Sequence, residues 1–191
     1  EPHHADLLDF LELRKNTGYE DDRCRDLFTA LWISDLFMKR VHSNELWCLF
    51  DPNKCLELNE LWGDEYEKKY IEYENKKIAS KTLPARDIWA KIINSQIETG
   101  TPYILFKDNV NKYNNQSNLG IIKSSNLCAE ITEFSNEKQY ACCTLASIGL
   151  PMCIENGEFK FNVLGNVVRT IVKNLNRVID LNYYPCNESK I

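Results

Sequence analysis

The sequence predicts an α/β fold, and three observations carry that prediction. Stretches with a helical repeat of apolar residues alternate with single short apolar runs through the first two thirds of the chain. The short runs are closed off by turn residues, as at Asp51-Pro52-Asn53. The runs are also few and scattered. They read as strands of a larger sheet rather than a sheet complete in itself.

The elements follow in chain order. Residues 19–41 read as a helix: Asp21 and Asp22 in the first turn and Lys39 and Arg40 in the last suit the macrodipole, and Leu27, Phe28, Leu31 and Trp32 keep helical spacing. "ELWCLF" (45–50) reads as a strand, with "DPN" as the turn after it. Residues 63–77 form a second helix. Its Tyr66, Tyr70 and Tyr73 fall at i, i+4 and i+7, one face of a charged surface helix resting on a core. A third runs from Pro84 to Thr99, with Gly100 as its stop and Ile88, Trp89, Ile92 and Ile93 turned inward. "PYILFKD" (102–108) reads as a buried strand and "NVNKYNNQSN" (109–118) as a polar loop. "LGIIKSSNLCAEITEF" and "QYACCTLASIGL" read as two strands joined by the turn "SNEK". The last helix spans about 161–180, with Leu164, Val168, Ile171, Val172, Leu175 and Val178 on its apolar face.

Composition narrows the function classes. With 191 residues, 43% hydrophobic and 27% charged, there is material for one core. The net charge is -5, and no basic stripe offers a grip on nucleic acid. No apolar run reaches the roughly 18 residues that span a bilayer. The start "EPHHADLLDF" lacks the basic and apolar regions of a signal peptide and has no initiator Met, so it reads as an internal start. Eight cysteines are present without a C-x-x-C pair, and His3, His4 and His42 are not spaced for zinc. Reduced thiols in the cytoplasm and no metal site are the expectation.

One stretch carries chemistry. In "SSNLCAEI" an amide (Asn126), a thiol (Cys128) and a carboxylate (Glu130) sit at alternate positions. In an extended strand they share one face, about 7 Å apart, while Leu127, Ala129 and Ile131 take the other. That pattern fits an amphipathic surface strand. It also fits the wall of a pocket. A carboxylate beside a thiol disfavours the thiolate, so the pair is poorly suited to a nucleophile. A protonated thiol suits hydrogen-atom transfer, with the carboxylate as base and the amide orienting a substrate. Further on, Cys142 and Cys143 are adjacent, so strand alternation would put them on opposite faces. They read either as two small buried residues or as one redox partner and its neighbour.

The runs "EPHHADLLDFLELRKNTG", "DRCRDLFTALWISDLFMKRV", "SQIETGTPYILFKD", "NLGIIKSSNLCAEI", "CTLASIGLP" and "NLNRVIDLNYYP" span the chain. Together they closely resemble the large catalytic subunit of class I ribonucleotide reductase, of the eukaryotic and viral type. "SSNLCAEI" with "NYYP" is the most specific part. The resemblance implies a segment of a ten-stranded α/β barrel, with a finger loop carrying the radical cysteine. Residues 1–191 would be a partial catalytic barrel domain, its flanking parts lying outside this sequence.

By the same resemblance, Cys128 is the thiyl residue that takes the substrate's 3′-hydrogen, and Glu130 is the base for the 3′-hydroxyl. Asn126 hydrogen-bonds the substrate, with Leu127 alongside in the substrate site. Cys143 is one half of the redox pair. The implied reaction reduces ribonucleoside diphosphates to deoxyribonucleoside diphosphates, in a large-subunit homodimer. The segment would bind no cofactor itself. The intact enzyme would use ATP or deoxynucleoside triphosphate effectors, a small subunit with a dimetal centre and radical, and a thioredoxin- or glutaredoxin-type reductant. A cobalamin-dependent reductase with the same thiol is a rival. So is a truncated, non-catalytic relative that binds reductase subunits. His3, Asp51, Cys142 and Thr144 depart from the family pattern, which usually has Trp, Cys, an aliphatic residue and Asn there.

Overall fold

The structure, a computed structural model, describes residues 1–190. Two compact units divide it, one of residues 1–134 and one from Ser135 onward. In chain order the first unit contains α1 (Leu7–Glu12), β1 (Ala30–Ile33), α2 (Asp35–Ser43), β2 (Leu46–Leu49), α3 (Gly63–Asn75), β3 (Lys81–Pro84), α4 (Ala85–Thr99), β4 (Tyr103–Phe106) and α5 (Lys107–Lys112). β1 runs parallel to β4, from Ala30 opposite Tyr103 to Ile33 opposite Phe106. β2 pairs antiparallel with β3. The architecture is mixed α/β, as the alternating pattern predicts.

The helix expected over 19–41 is corrected. Residues 20–22 form only a single 3-10 turn, β1 follows, and the helix starts at Asp35. Leu31, Trp32 and Ile33 are three consecutive buried residues, which a strand between two layers accommodates and a one-faced helix does not. Leu27 and Phe28, whose spacing mimics a helical stripe, are exposed. Ser34 ends the strand and caps α2, its hydroxyl accepting from the Phe37 N–H at 3.4 Å.

The aromatic row on α3 rests on the core as expected, and Tyr66, Tyr70 and Tyr73 are all buried. Tyr70 stacks on Trp47 of β2 at 4.3 Å between ring centroids, and Phe37 of α2 meets Trp47 edge-on at 5.0 Å. The Tyr70 hydroxyl accepts from the Cys48 N–H (2.6 Å) and donates to the Cys48 carbonyl (3.0 Å), fastening helix to strand. Arg40 of α2 forms a two-pronged pair with Glu74 of α3, both contacts at 2.7 Å. On α4, Ile88 and Ile92 are fully buried while Trp89 and Ile93 are half-buried. Each fully buried side chain of that size contributes about 1.5–3 kcal/mol. Gly100 ends α4 in the left-handed conformation (φ 76°), as its position predicts.

The strand expected over 102–108 stops at Phe106, and the polar loop begins as a helix, α5. The reason lies in three of its polar side chains, Lys107, Asp108 and Asn111, which are buried. Lys107 bonds Glu1 (2.9 and 3.0 Å) and the Leu58 carbonyl (3.0 Å). Asp108 accepts from Asp35 N–H with one oxygen and Gly63 N–H with the other, both at 2.6 Å. One carboxylate therefore sits at the N-termini of α2 and α3 together.

In the second unit the SNEK turn is present: Asn136 Oδ1 accepts from the N–H groups of Lys138 (2.8 Å) and Gln139 (2.9 Å). Two short strands, β5 (Ile154–Glu155) and β6 (Glu158–Phe159), form a hairpin. Its turn, Asn156-Gly157, has φ of 52° and 79°. That turn signal is one which a reading of apolar runs passes over. α6 (Phe161–Leu181) matches the last expected helix. Within this unit Leu164, Ile171 and Leu175 are half-buried, and Val168, Val172 and Val178 are exposed.

Candidate functional site

Four of the five residues singled out above lie between Gly120 and Phe134. The strand expected over 119–134 is not formed: among the described residues this segment joins no sheet. Residues 127–129 form a turn instead, closed by the Ala129 N–H donating to the Asn126 carbonyl at 3.1 Å. Ala129 takes a left-handed φ of 65°. The physical reason is local. The Asn126 Oδ1 accepts from the Ile131 N–H at 3.0 Å, and the Ser125 hydroxyl donates to the Ile131 carbonyl at 2.6 Å. These short polar side chains satisfy backbone groups that a strand would have paired with a neighbour.

The alternation argument is corrected with it. Asn126, Leu127, Cys128 and Glu130 are all exposed, carried along a turn and not on one strand face. Ala129 alone turns inward, against Trp32 of β1, Leu105 of β4 and Ile122. Because the Asn126 Oδ1 is engaged within the loop, its Nδ2 is the part left without a partner among the described residues. It can donate to an incoming oxygen.

A cleft of about 440 Å3 opens beside the loop, lined by Trp32, Leu105 and residues 123–126 among others. Asn126 belongs to its wall, whereas Cys128 and Glu130 do not line it. The buried indole N–H of Trp32 has no hydrogen-bond partner among the described residues. A larger cavity, about 540 Å3, lies along α1 and contains none of the singled-out residues.

Cys143 lies in the second unit and is not part of this loop. The strand expected over 139–150 is absent too. Cys142 and Cys143 are both exposed in unpaired backbone, so alternation does not sort them. Without a partner strand nothing fixes a pleat.

One buried polar cluster of the first unit is perturbed chiefly by burial. Burial pushes Lys107 down and Glu1 up despite their pairing. The imidazole of His3, 2.9 Å from the Tyr66 hydroxyl, is held well below 6.5 by burial, and burial lifts Tyr66 well above its ordinary 10. All eight cysteines are free thiols. Among the described residues no group of three or more His, Cys, Asp or Glu converges as metal ligands would. No described helix is long and apolar enough to cross a membrane.

Three contributors escape a reading of the sequence: Ser125, Trp32 and Asn111. Ser125 stands beside the amide it helps to lock, and Trp32 looked like part of a helix face. Asn111 sat in an apparently featureless polar loop, yet it is buried and bonded to Ile122.

Comparison with known proteins places the chain in a family. The family model described as ribonucleotide reductase, barrel domain, matches residues 1–191. The ribonucleoside-diphosphate reductase large chain of Encephalitozoon cuniculi is 53% identical over 190 residues, covering all of this chain and 25% of its own length. The large subunits from Variola virus and Danio rerio are each 53% identical over 191 residues, with 25% and 24% of their lengths covered. The chain thus spans about a quarter of the length of these relatives. With its whole length matched, the chain belongs to the ribonucleotide reductase barrel-domain family.

Proposed function

We propose that this chain is the central barrel segment of a ribonucleoside-diphosphate reductase large subunit and supplies the loop on which ribonucleotides are reduced. The observation that carries the proposal is the exposed turn bearing Asn126, Cys128 and Glu130 in a chain 53% identical to named reductases. In this reading the thiyl radical of Cys128 takes the 3′-hydrogen atom: the C3′–H bond breaks and an S–H bond forms. Glu130 accepts the 3′-hydroxyl proton, and the 2′-hydroxyl takes a proton from the redox thiol pair and leaves as water. Having given that proton, Cys143 and its partner thiol pass a hydrogen atom to C2′ and one electron to the 3′-ketone and close to a disulfide; Glu130 returns its proton to the 3′-oxygen, and Cys128 returns the hydrogen atom to C3′. Asn126 donates its Nδ2 hydrogens to the substrate, and Leu127 borders it.

The parallel pair β1 and β4, linked through helices, suits strands of a larger barrel whose remainder lies elsewhere in the subunit. The turn 126–130 is then the tip of its finger loop. The radical comes from a dimetal small subunit, the electrons from a thioredoxin- or glutaredoxin-type reductant, and control from ATP or deoxynucleoside triphosphates on a homodimer. Eight free thiols suit the cytoplasm.

The test is Cys128→Ala in the full-length subunit assayed with its small subunit. Substrate binding persists and turnover is abolished; deoxynucleotide formation by the variant would overturn the assignment. A native protein no longer than this chain and inactive with any small subunit would favour the non-catalytic relative.

A further inference from the structure

The asparagine-rich stretch 109–118 has no role in the chemistry above, yet its carboxamides reach the backbone on both sides of the Cys128 loop. Asn111 is buried near the end of α5. Its Oδ1 accepts from the Ile122 N–H at 2.8 Å, and its Nδ2 donates to the Ile122 carbonyl at 3.0 Å. The second Nδ2 hydrogen goes to the Lys107 carbonyl, one turn back on its own helix, also at 3.0 Å. Both backbone groups of one residue are thus paired, as a neighbouring strand would pair them. The three bonds permit a single orientation of the amide.

Two more carboxamides act in the same way. Asn114 Nδ2 donates to the Gly120 carbonyl at 2.9 Å, and Gln116 Oε1 accepts from the Phe134 N–H at 2.7 Å. Gly120 and Phe134 also touch: a Cβ at Gly120, where φ is 153°, would lie 2.4 Å from the Phe134 ring. The loop therefore leaves and returns at one place, and that place is held by the side chains of Asn111, Asn114 and Gln116.

The anchorage continues into the core. α5 follows β4 directly, and Asp108 on the same helix is bonded to the first turns of α2 and α3. Ile122 packs against Trp32 and Leu105, and Ala129 at the loop tip is packed against the same three residues. The position of Cys128 is thereby referred to the parallel strand pair through Ile122 and Asn111.

We propose that Asn111 is a positioning residue for the Cys128 loop, within a cradle completed by Asn114 and Gln116. This rests on the function proposed above, because position matters only if Cys128 reacts with a bound substrate. Hydrogen-atom transfer depends steeply on approach, and a displacement of about 1 Å costs on the order of 10²-fold in rate. Asn111→Ala leaves both Ile122 groups unpaired. Asn111→Asp keeps the shape and turns an acceptor toward two carbonyls.

The experiment uses the full-length subunit with its small subunit. It compares Asn111→Ala, Asn111→Asp, Cys128→Ala and, as control, Asn115→Ala, an exposed neighbour. Amide exchange by mass spectrometry reads the anchorage. Steady-state turnover with ordinary and 3′-deuterated ribonucleoside diphosphate reads the position. The expected result for both Asn111 variants is at least tenfold faster exchange over 120–134, with exchange in α4 unchanged. In the same variants kcat falls at least tenfold, KM moves less than about threefold, and the 3′-deuterium isotope effect grows as hydrogen transfer becomes limiting. Asn115→Ala matches the parent throughout.

Unchanged exchange over 120–134 would overturn the cradle whatever the activity. Faster exchange with unchanged kcat and isotope effect would overturn the positioning role. So would a fall in kcat that only tracks a loss of folded protein, with the isotope effect constant. Turnover by Cys128→Ala would overturn the chemical reading and the positioning role with it, while the exchange data would still report whether Asn111 holds the loop.

Discussion

Replacing Asp108 by alanine should loosen two helices at once. Its carboxylate accepts from Asp35 N–H and Gly63 N–H, the first residues of α2 and α3, each at 2.6 Å, and the residue is buried. Losing a helix cap costs about 1 kcal/mol. Losing the charge at a helix N-terminus costs about 0.3–1 kcal/mol more. Over two helices the sum is about 2–4 kcal/mol, against a typical domain stability of about 5–15 kcal/mol. Amide exchange in the full-length protein resolves the two ends separately. A share of about 1–2 kcal/mol per helix is about 5- to 30-fold faster exchange in each first turn. Asp108→Asn keeps one acceptor and turns an NH2 toward the other N–H, so one helix should be spared. The Asp35 carboxyl adds an independent readout. It is held above its ordinary 3.8, first by burial and then by the Asp108 charge, and should titrate lower in Asp108→Ala. Unchanged exchange at both Asp35 and Gly63 in that variant would refute the bridge.

Other expectations are briefer. His3 is neutral when buried, so the unfolded chain takes up the proton first as pH falls below 6.5. Its contribution to stability is complete above that pH and declines below it, so His3→Phe should flatten the dependence of the thermal midpoint between about pH 5 and 7; an unaltered slope would exclude His3 as its source. Tyr70→Phe strands the Cys48 N–H and carbonyl, each worth about 1–3 kcal/mol when left unpaired, and a thermal midpoint equal to the parent would count against this. Gly100→Ala must place a Cβ at φ 76° and should cost roughly 1 kcal/mol of stability, read as a lowered thermal midpoint; an unchanged midpoint would count against this. In turnover driven by a dithiol protein, Cys143→Ala should be severe and Cys142→Ala mild, and the reverse ranking would reassign the redox thiol.

The sequence is most legible where one side-chain period dominates. The tyrosines of α3 and the isoleucines of α4 repeat along one helical face, and Gly100 marks its end, so those elements emerge with nearly correct limits. β1 is hidden because Leu27, Phe28, Leu31 and Trp32 are spaced like a helix stripe, and only burial separates the exposed pair from the inward one. The side chains of the candidate site are legible as types. Their arrangement is not, because an extended run becomes a strand only when a partner pairs with it, and here Asn126 and Ser125 bond their own loop instead. Buried Lys107, Asp108 and Asn111 are illegible for a related reason: their main partners are backbone groups and a carboxylate remote in sequence, which no local pattern records.

The six residues of α5 hold a relation that no single side chain contains. Asp108 faces the helices of the core and Asn111 faces the root of the loop, three positions apart. Each residue added between them rotates one against the other by about 100°. An insertion there would leave every bonding group present and set the two ends out of phase. Across this turn the chain is sensitive to count as much as to composition: the length of one helical turn indexes the Cys128 loop to the strands beneath it.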